Sequence, residues 1–124
     1  MEVKAKKILI IDDDSRNIFA LTAVLKAKKY TCLSANSAQQ GFDIIANDQE
    51  IGVVLMDMMM PDMDGYQAMN KMQNHPEMKA IPVIAVTAQA MVGDKERCLN
   101  AGAAGYISKP VNVDDLVYQL NHYI

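Results

Sequence analysis

Val53-Val54-Leu55-Met56-Asp57-Met58-Met59-Met60-Pro61-Asp62-Met63-Asp64-Gly65 is the stretch on which the fold turns. Its four leading apolar residues read as a strand buried on both faces, and such strands belong to parallel sheets covered by helices. The strand ends in Asp57, which packing does not explain. Behind it, Pro61-Asp62-Met63-Asp64-Gly65 has the composition of a turn, so Asp62 and Asp64 read as turn residues. An acid at the end of a buried strand either caps the next turn or is held out for chemistry, and a second acidic strand end decides between the two. Ile8-Leu9-Ile10-Ile11 is a run of the same kind and ends in Asp12-Asp13-Asp14. Parallel strands in one sheet bring these ends together, and carboxylates so clustered repel unless a cation joins them.

Working outward, the strand candidates are Lys7 to Asp12, Thr31 to Ala35, Gly52 to Asp57, Pro82 to Thr87 and Gly105 to Ser108. They alternate with amphipathic stretches, the pattern of successive βα units. Ile18, Leu21 and Leu25 share a helical face after a Ser15 cap, with Asp14 also read as a helix cap, and Ser37 with Gln40 forms a capping box ahead of Gly41, Phe42 and Ile45. Tyr66, Met69 and Met72 continue a third helix from Gly65, closed by Pro76. The fourth, from about Met91 to Ala101, is the weakest, with Gly93 inside it, a thin apolar stripe and Ala101-Gly102 as its stop. The last starts at Asn112, carries Asp114 and Asp115 in its first turn, and turns Leu116, Val117, Leu120 and Ile124 to the core. The fold class is α/β, a single doubly wound five-stranded parallel sheet with helices on both faces.

The 124 residues, 51% hydrophobic, suit one compact domain. A net charge of -3 and only Lys4, Lys6 and Lys7 near the start argue against direct nucleic-acid binding. The charged stretch Met1 to Lys7 and the short apolar run after it form neither a signal h-region nor a membrane span, so the expectation is a cytoplasmic protein without membrane contact. Cys32 and Cys98 read as reduced packing residues, and His75 and His122 as surface residues near helix ends. Met58, Met59, Met60 and Met63 bunch behind Asp57, some to pack and some to border the site.

In an open parallel sheet, reactive groups gather in the crevice at the carboxyl ends of the strands. That rule places Asp12, Asp13, Asp57, Thr87 and Lys109 together. Converging carboxylates suit a hard divalent cation such as Mg2+. A carboxylate can also be the nucleophile, taking a phosphoryl group as an aspartyl phosphate. The transferring group spreads charge over three oxygens, which Mg2+, the Lys109 ammonium and the Thr87 hydroxyl or a nearby backbone amide would share.

These residues and their order carry a resemblance. Ile8-Leu9-Ile10-Ile11-Asp12-Asp13, Leu55-Met56-Asp57, Met60-Pro61-Asp62-Met63-Asp64-Gly65, Val86-Thr87-Ala88 and Tyr106-Ile107-Ser108-Lys109-Pro110 resemble, across essentially the whole chain, the receiver domains of bacterial two-component response regulators. The resemblance implies a flavodoxin-like sheet of strand order 2-1-3-4-5 and one receiver domain over residues 1–124 with no output domain. It implies that Asp57 accepts a phosphoryl group from a phosphohistidine on a sensor histidine kinase or histidine phosphotransfer protein. Asp13, Asp57 and the Met59 backbone carbonyl would hold Mg2+ directly, with Asp12 acting largely through water. Lys109, followed by a cis bond to Pro110, would pair with the phosphoryl group and Thr87 would hydrogen-bond it. Thr87 and Tyr106 would form the switch, biasing a downstream protein surface made by the fourth helix, fifth strand and fifth helix. It implies no turnover of an external substrate, only self-phosphorylation and self-dephosphorylation at Asp57, in a monomer or weak phosphorylation-dependent dimer. Asp12-Asp13-Asp14 followed by Asn17 is reminiscent of the receivers of hybrid kinases.

One departure bears on rate. In the resembling family the residue two places after the phosphorylated Asp borders the path of the hydrolytic water, and here it is Met59, with Gln89 as the other neighbour. An apolar Met59 excludes water without hydrogen-bonding it, which predicts slow dephosphorylation.

Three other functions compete. Asp12-Asp13-Asp14-Ser15 fits the Asp-x-Asp opening of haloacid-dehalogenase-like phosphatases, with Asp12 as nucleophile. That family places Thr or Val two residues after its second Asp, where this chain has Arg16, and it leaves Asp57 and Met60-Pro61 unexplained. A flavin module needs a phosphate loop where this chain has acids. A receiver-like domain that no longer takes phosphate would have lost some chemical position, and all are present.

Overall fold

Five parallel strands form one sheet in the order β2-β1-β3-β4-β5 in the computed structural model, which describes residues 6–88 and 92–124. The strands are β1 (Lys7–Ile11), β2 (Thr31–Ala35), β3 (Ile51–Asp57), β4 (Val83–Thr87) and β5 (Gly105–Ser108). This is the expected order; β2 and β5 have the expected bounds, and β1, β3 and β4 differ from them by one terminal residue each.

Alternation along the strands builds two cores. Ile8, Ile10, Val53, Leu55, Ile84, Val86 and Ile107 face α1 (Ser15–Ala27) and α5 (Val113–Leu120), which contribute Leu25, Leu116 and Leu120. Leu9, Ile11, Val54, Met56, Val83 and Ala85 face the opposite layer. There α2 (Ala38–Asn47), α3 (Gly65–Gln73) and α4 (Asp94–Asn100) supply Phe42, Ile45, Met69, Met72 and Cys98. Each fully buried Leu or Ile of this kind stabilises the fold by about 2 kcal/mol relative to exposure. Helices on both faces are what residues apolar on both sides of β1 and β3 demand.

Helix starts depart from the sequence reading in three places. Of Asp14 and Ser15, both read as helix caps, it is Asp14 that caps α1, its carboxylate accepting the Arg16 N–H, while Ser15 is the first residue of the helix. Ser37 does cap α2 by accepting the Gln40 N–H, but the Gln40 side chain accepts from Asn36 rather than Ser37, so the box is not closed. A closed box exists at α3 instead: Asp64 accepts the Gln67 N–H at 2.9 Å and Gln67 accepts the Asp64 N–H at 3.0 Å. Asp64 is thus a helix cap as well as a turn residue.

The fourth helix starts at Asp94, and Gly93 stands before it in the left-handed region (φ 85°) rather than inside it. Met91 lies outside the described residues. The stop is as expected, with Gly102 also at positive φ (115°) just after the Ala101 cap. Cys32 and Cys98 are free thiols, the latter fully buried.

Register brings the reactive strand ends level. Ile11 pairs with Met56, Asp57 with Val86, and Thr87 with Ser108, so Asp12, Asp57, Thr87 and Lys109 fall along one rim. The strand order reverses at β1, which opens the crevice beside β1 and β3 where such sheets bind ligands.

Candidate functional site

Asp57 ends β3 with its side chain drawn into the rim, and only 4% of the residue is exposed. The chain then doubles back through Met58 and Met59 to start α3. A Cβ at Gly65 would collide with Met58, so only glycine lets the Gly65 N–H reach the Met58 carbonyl at 3.3 Å. This tight return sets the Met59 N–H on Asp57 Oδ1 at 3.1 Å. Met58 and Met60 turn into the core while Met59 stands half exposed, which sorts the methionines that the sequence left undivided.

Asp12 follows β1 and is 3% exposed, with its Oδ1 accepting the Asp14 N–H at 2.9 Å. Asp13 beside it is exposed. Carboxylate oxygens of Asp12, Asp13 and Asp57 lie within 4.8 Å of one another. Lys109 follows β5, joined to Pro110 by a cis peptide bond as expected. Its Nζ reaches Asp12 Oδ2 at 3.5 Å and Asp57 Oδ1 at 3.8 Å. Thr87, buried at the end of β4, receives the Lys109 N–H on its carbonyl at 2.7 Å. Tyr106, half buried on β5, donates its hydroxyl to Asp94 at 2.8 Å. Gln89 lies outside the described residues.

The charge balance is uneven. Three carboxylates against one ammonium leave an excess of two negative charges in a partly buried space (3 − 1 = 2). Burial first, then the neighbouring Asp12 charge, pushes the Asp57 carboxyl up to about 6, against the opposing pull of the Met59 N–H and Lys109. Oxygen donors with that residual charge are what a hard divalent cation requires. Asp57 is therefore ionised at neutral pH yet poorly solvated, a state that favours capture of a cation or an electrophile.

Two contributors escape a reading of the sequence for chemistry. Asn17, one turn into α1, directs its Nδ2 to Asp12 Oδ2 at 3.5 Å, and its spacing of five residues from Asp12 was the available signal. Asp94 accepts from Tyr106, and nothing in the sequence links the two.

Comparison with known proteins agrees with this geometry. The response regulator receiver domain pattern matches residues 8–121. The chain is 31% identical over 119 residues to the polar-differentiation response regulator DivK of Brucella ovis, covering 96% of each. Among solved structures, a CheY-like response regulator receiver domain protein of Methanospirillum hungatei JF-1 superposes with a TM-score of 0.83 at 32% identity, covering 96% of this chain and 93% of that one. The receiver domain of sensor histidine kinase PA1611 of Pseudomonas aeruginosa PAO1, with a magnesium ion coordinated in its active site cleft, gives 0.85 at 28% identity, covering 97% and 98%. No helix among the described residues is long and apolar enough to cross a membrane. The acidic rim of a 2-1-3-4-5 sheet and these matches together assign the chain to the response regulator receiver domain family, the phosphorylation-dependent switches of two-component signalling.

Proposed function

We propose that residues 1–124 act as one receiver domain in which Asp57 takes the phosphoryl group from a phosphohistidine of a sensor histidine kinase or histidine phosphotransfer protein. The observation that carries this reading is the buried Asp57 carboxylate held between Lys109 and the Asp12–Asp13 pair. An Asp57 oxygen attacks phosphorus, the N–P bond breaks, and the imidazole leaves with its electron pair and takes a proton from solvent. Asp13, Asp57 and the Met59 carbonyl would hold Mg2+ directly, with Asp12 acting largely through water, and the ion would supply positive charge for the phosphoryl oxygens. Lys109 Nζ, already within 3.8 Å of Asp57, supplies a second positive charge. Thr87 supplies a hydroxyl from the end of β4 to a phosphoryl oxygen.

The phosphorylated state is read through the face built by α4, β5 and α5, with Thr87 and Tyr106 as the switch. The only covalent chemistry is the gain and loss of this phosphoryl group on Asp57, with water as the final acceptor. Incubation with Mg2+ and acetyl phosphate, followed by intact mass, tests the reading. Wild type gains one phosphoryl group and Asp57→Asn gains none; uptake by the asparagine variant, or none by wild type, overturns it.

A further inference from the structure

Asp94, the first residue of α4, holds two phenols at once. Tyr106 of β5 donates to its Oδ2 at 2.8 Å, and Tyr66 in the first turn of α3 donates to its Oδ1 at 3.2 Å. The Tyr66 hydroxyl also lies 3.5 Å from Cys98 Sγ, and the Arg97 guanidinium sits 4.2 Å over the Tyr66 ring. Three elements thus meet at one carboxylate. Burial and then the bond to Asp94 push the Tyr106 phenol up to about 12, and burial, then Cys98 and then Asp94 push the Tyr66 phenol further still, so both stay protonated donors.

An acid at a helix start is favourable in any sequence because of the helix dipole, and that alone would explain an aspartate here. Dipole stabilisation needs no partner from other elements, however, and this aspartate has two. Among the described residues, little else holds α4 beyond the Cys98 and Arg97 contacts to Tyr66. It spans seven residues, Gly93 before it makes no side-chain cap, and Cys98 is its one buried residue. The start of α4 therefore depends on Asp94 to a degree that the starts of α1, α2, α3 and α5, each with a side-chain cap, do not.

We propose that Asp94 is a positioning residue for the Asp57 site, a two-phenol latch that holds α4 and Tyr106 in the resting arrangement and sets how readily the site closes on a phosphoryl group. The inference rests on the phosphoryl-acceptor reading of Asp57 and on the proposed switch of Thr87 and Tyr106. Tyr106 lies two residues before Ser108, the partner of Thr87 in the β4–β5 register, and its ring packs in the same layer as α4. A rotation of Tyr106 that follows Thr87 has to break the bond to Asp94. The free energy of that bond then counts against the phosphoryl-bound state, and apparent reactivity falls by the fraction of molecules in which it is closed.

The test compares initial rates of phosphoryl uptake from acetyl phosphate with Mg2+, together with amide hydrogen exchange over residues 94–100 before phosphorylation. Asp94→Ala should lose exchange protection in α4 and take up phosphoryl groups roughly three- to tenfold faster. Tyr66→Phe, which leaves the helix-start charge in place, should move both readouts the same way by less, and should add nothing in the Asp94→Ala background. Asp94→Asn, with one acceptor oxygen, should fall between wild type and Asp94→Ala. Loosened exchange with an unchanged or slower uptake rate makes Asp94 a structural cap only and overturns the latch. Independent, additive effects of the Tyr66 and Asp94 substitutions overturn it as well. If Asp94→Ala does not fold, the Tyr66→Phe rate alone decides. A wild type that takes up no phosphoryl group overturns the reading of Asp57 and the coupling with it, whereas exchange over α4 separately shows whether the latch holds the helix.

Discussion

Asp57 is a residue that the fold holds at a cost. With its carboxyl near 6 in the folded chain against an ordinary 3.8, the folded state binds an extra proton between about pH 4 and pH 6. Stability must therefore fall as pH rises through that window, leaving the folded state penalised at neutral pH. Asp57→Asn keeps the shape and removes the charge. It should melt several degrees higher than wild type at pH 7.5 in chelator, with the gain vanishing toward pH 4. Thermal melts across pH check this, and a lower melting temperature at pH 7.5 would contradict the burial argument. Met59 makes the second residue-scale prediction. Its thioether, half exposed beside Asp57, offers attacking water no strong hydrogen-bond partner, so Met59→Asn should shorten the phosphoryl half-life several-fold. A half-life equal to or longer than that of wild type would rule out control by this side chain.

Among the helices that carry a side-chain cap, α3 stands out because it both caps itself and follows the tight return from Asp57. Asp64→Ala removes the closed box and should cost about 1 kcal/mol, read as a lower urea midpoint at unchanged slope. Gln67→Ala opens only half the box and should cost less. The strands were legible because β1 and β3 are apolar on both faces and stop at an acid. The caps were not, since Asp14 and Ser15 are equally good capping types and only the backbone at Asp14, extended at φ -102° and ψ 108°, decides between them. Asp64 was hidden for a similar reason, as a run of Pro, Asp and Gly has the same composition whether it forms a turn or leads into a cap. Gly93 was placed inside α4 because a thin apolar stripe does not say where a helix begins.

For the whole molecule, Asp12, Asp13, Asp57, Thr87 and Lys109 could be grouped from sequence because a parallel sheet collects its carboxyl ends on one rim, whatever the detailed packing. The ring of Tyr66, Asp94 and Tyr106 could not. It joins positions 28 and 12 residues apart through the rotation of a short helix about its axis, which sequence periodicity leaves undetermined. The excess negative charge of the rim also makes stability depend on cations. Mg2+ at a hundred times its dissociation constant should stabilise wild type by about 2.7 kcal/mol at pH 8, less toward pH 5 as Asp57 takes up a proton, and melts with and without chelator measure it. An unchanged melting temperature in saturating Mg2+ would argue against a metal at these carboxylates. A last consequence follows from the in-out-in order of Met58, Met59 and Met60. Neighbours on both sides are committed to the core, yet position 59 meets solvent and can accept other side chains without disturbing a packed layer. If the Met59→Asn measurement places control of the phosphoryl half-life at this position, selection can reset the memory of a stimulus, from brief to prolonged, by changing a single codon, while the architecture that the memory depends on is inherited intact.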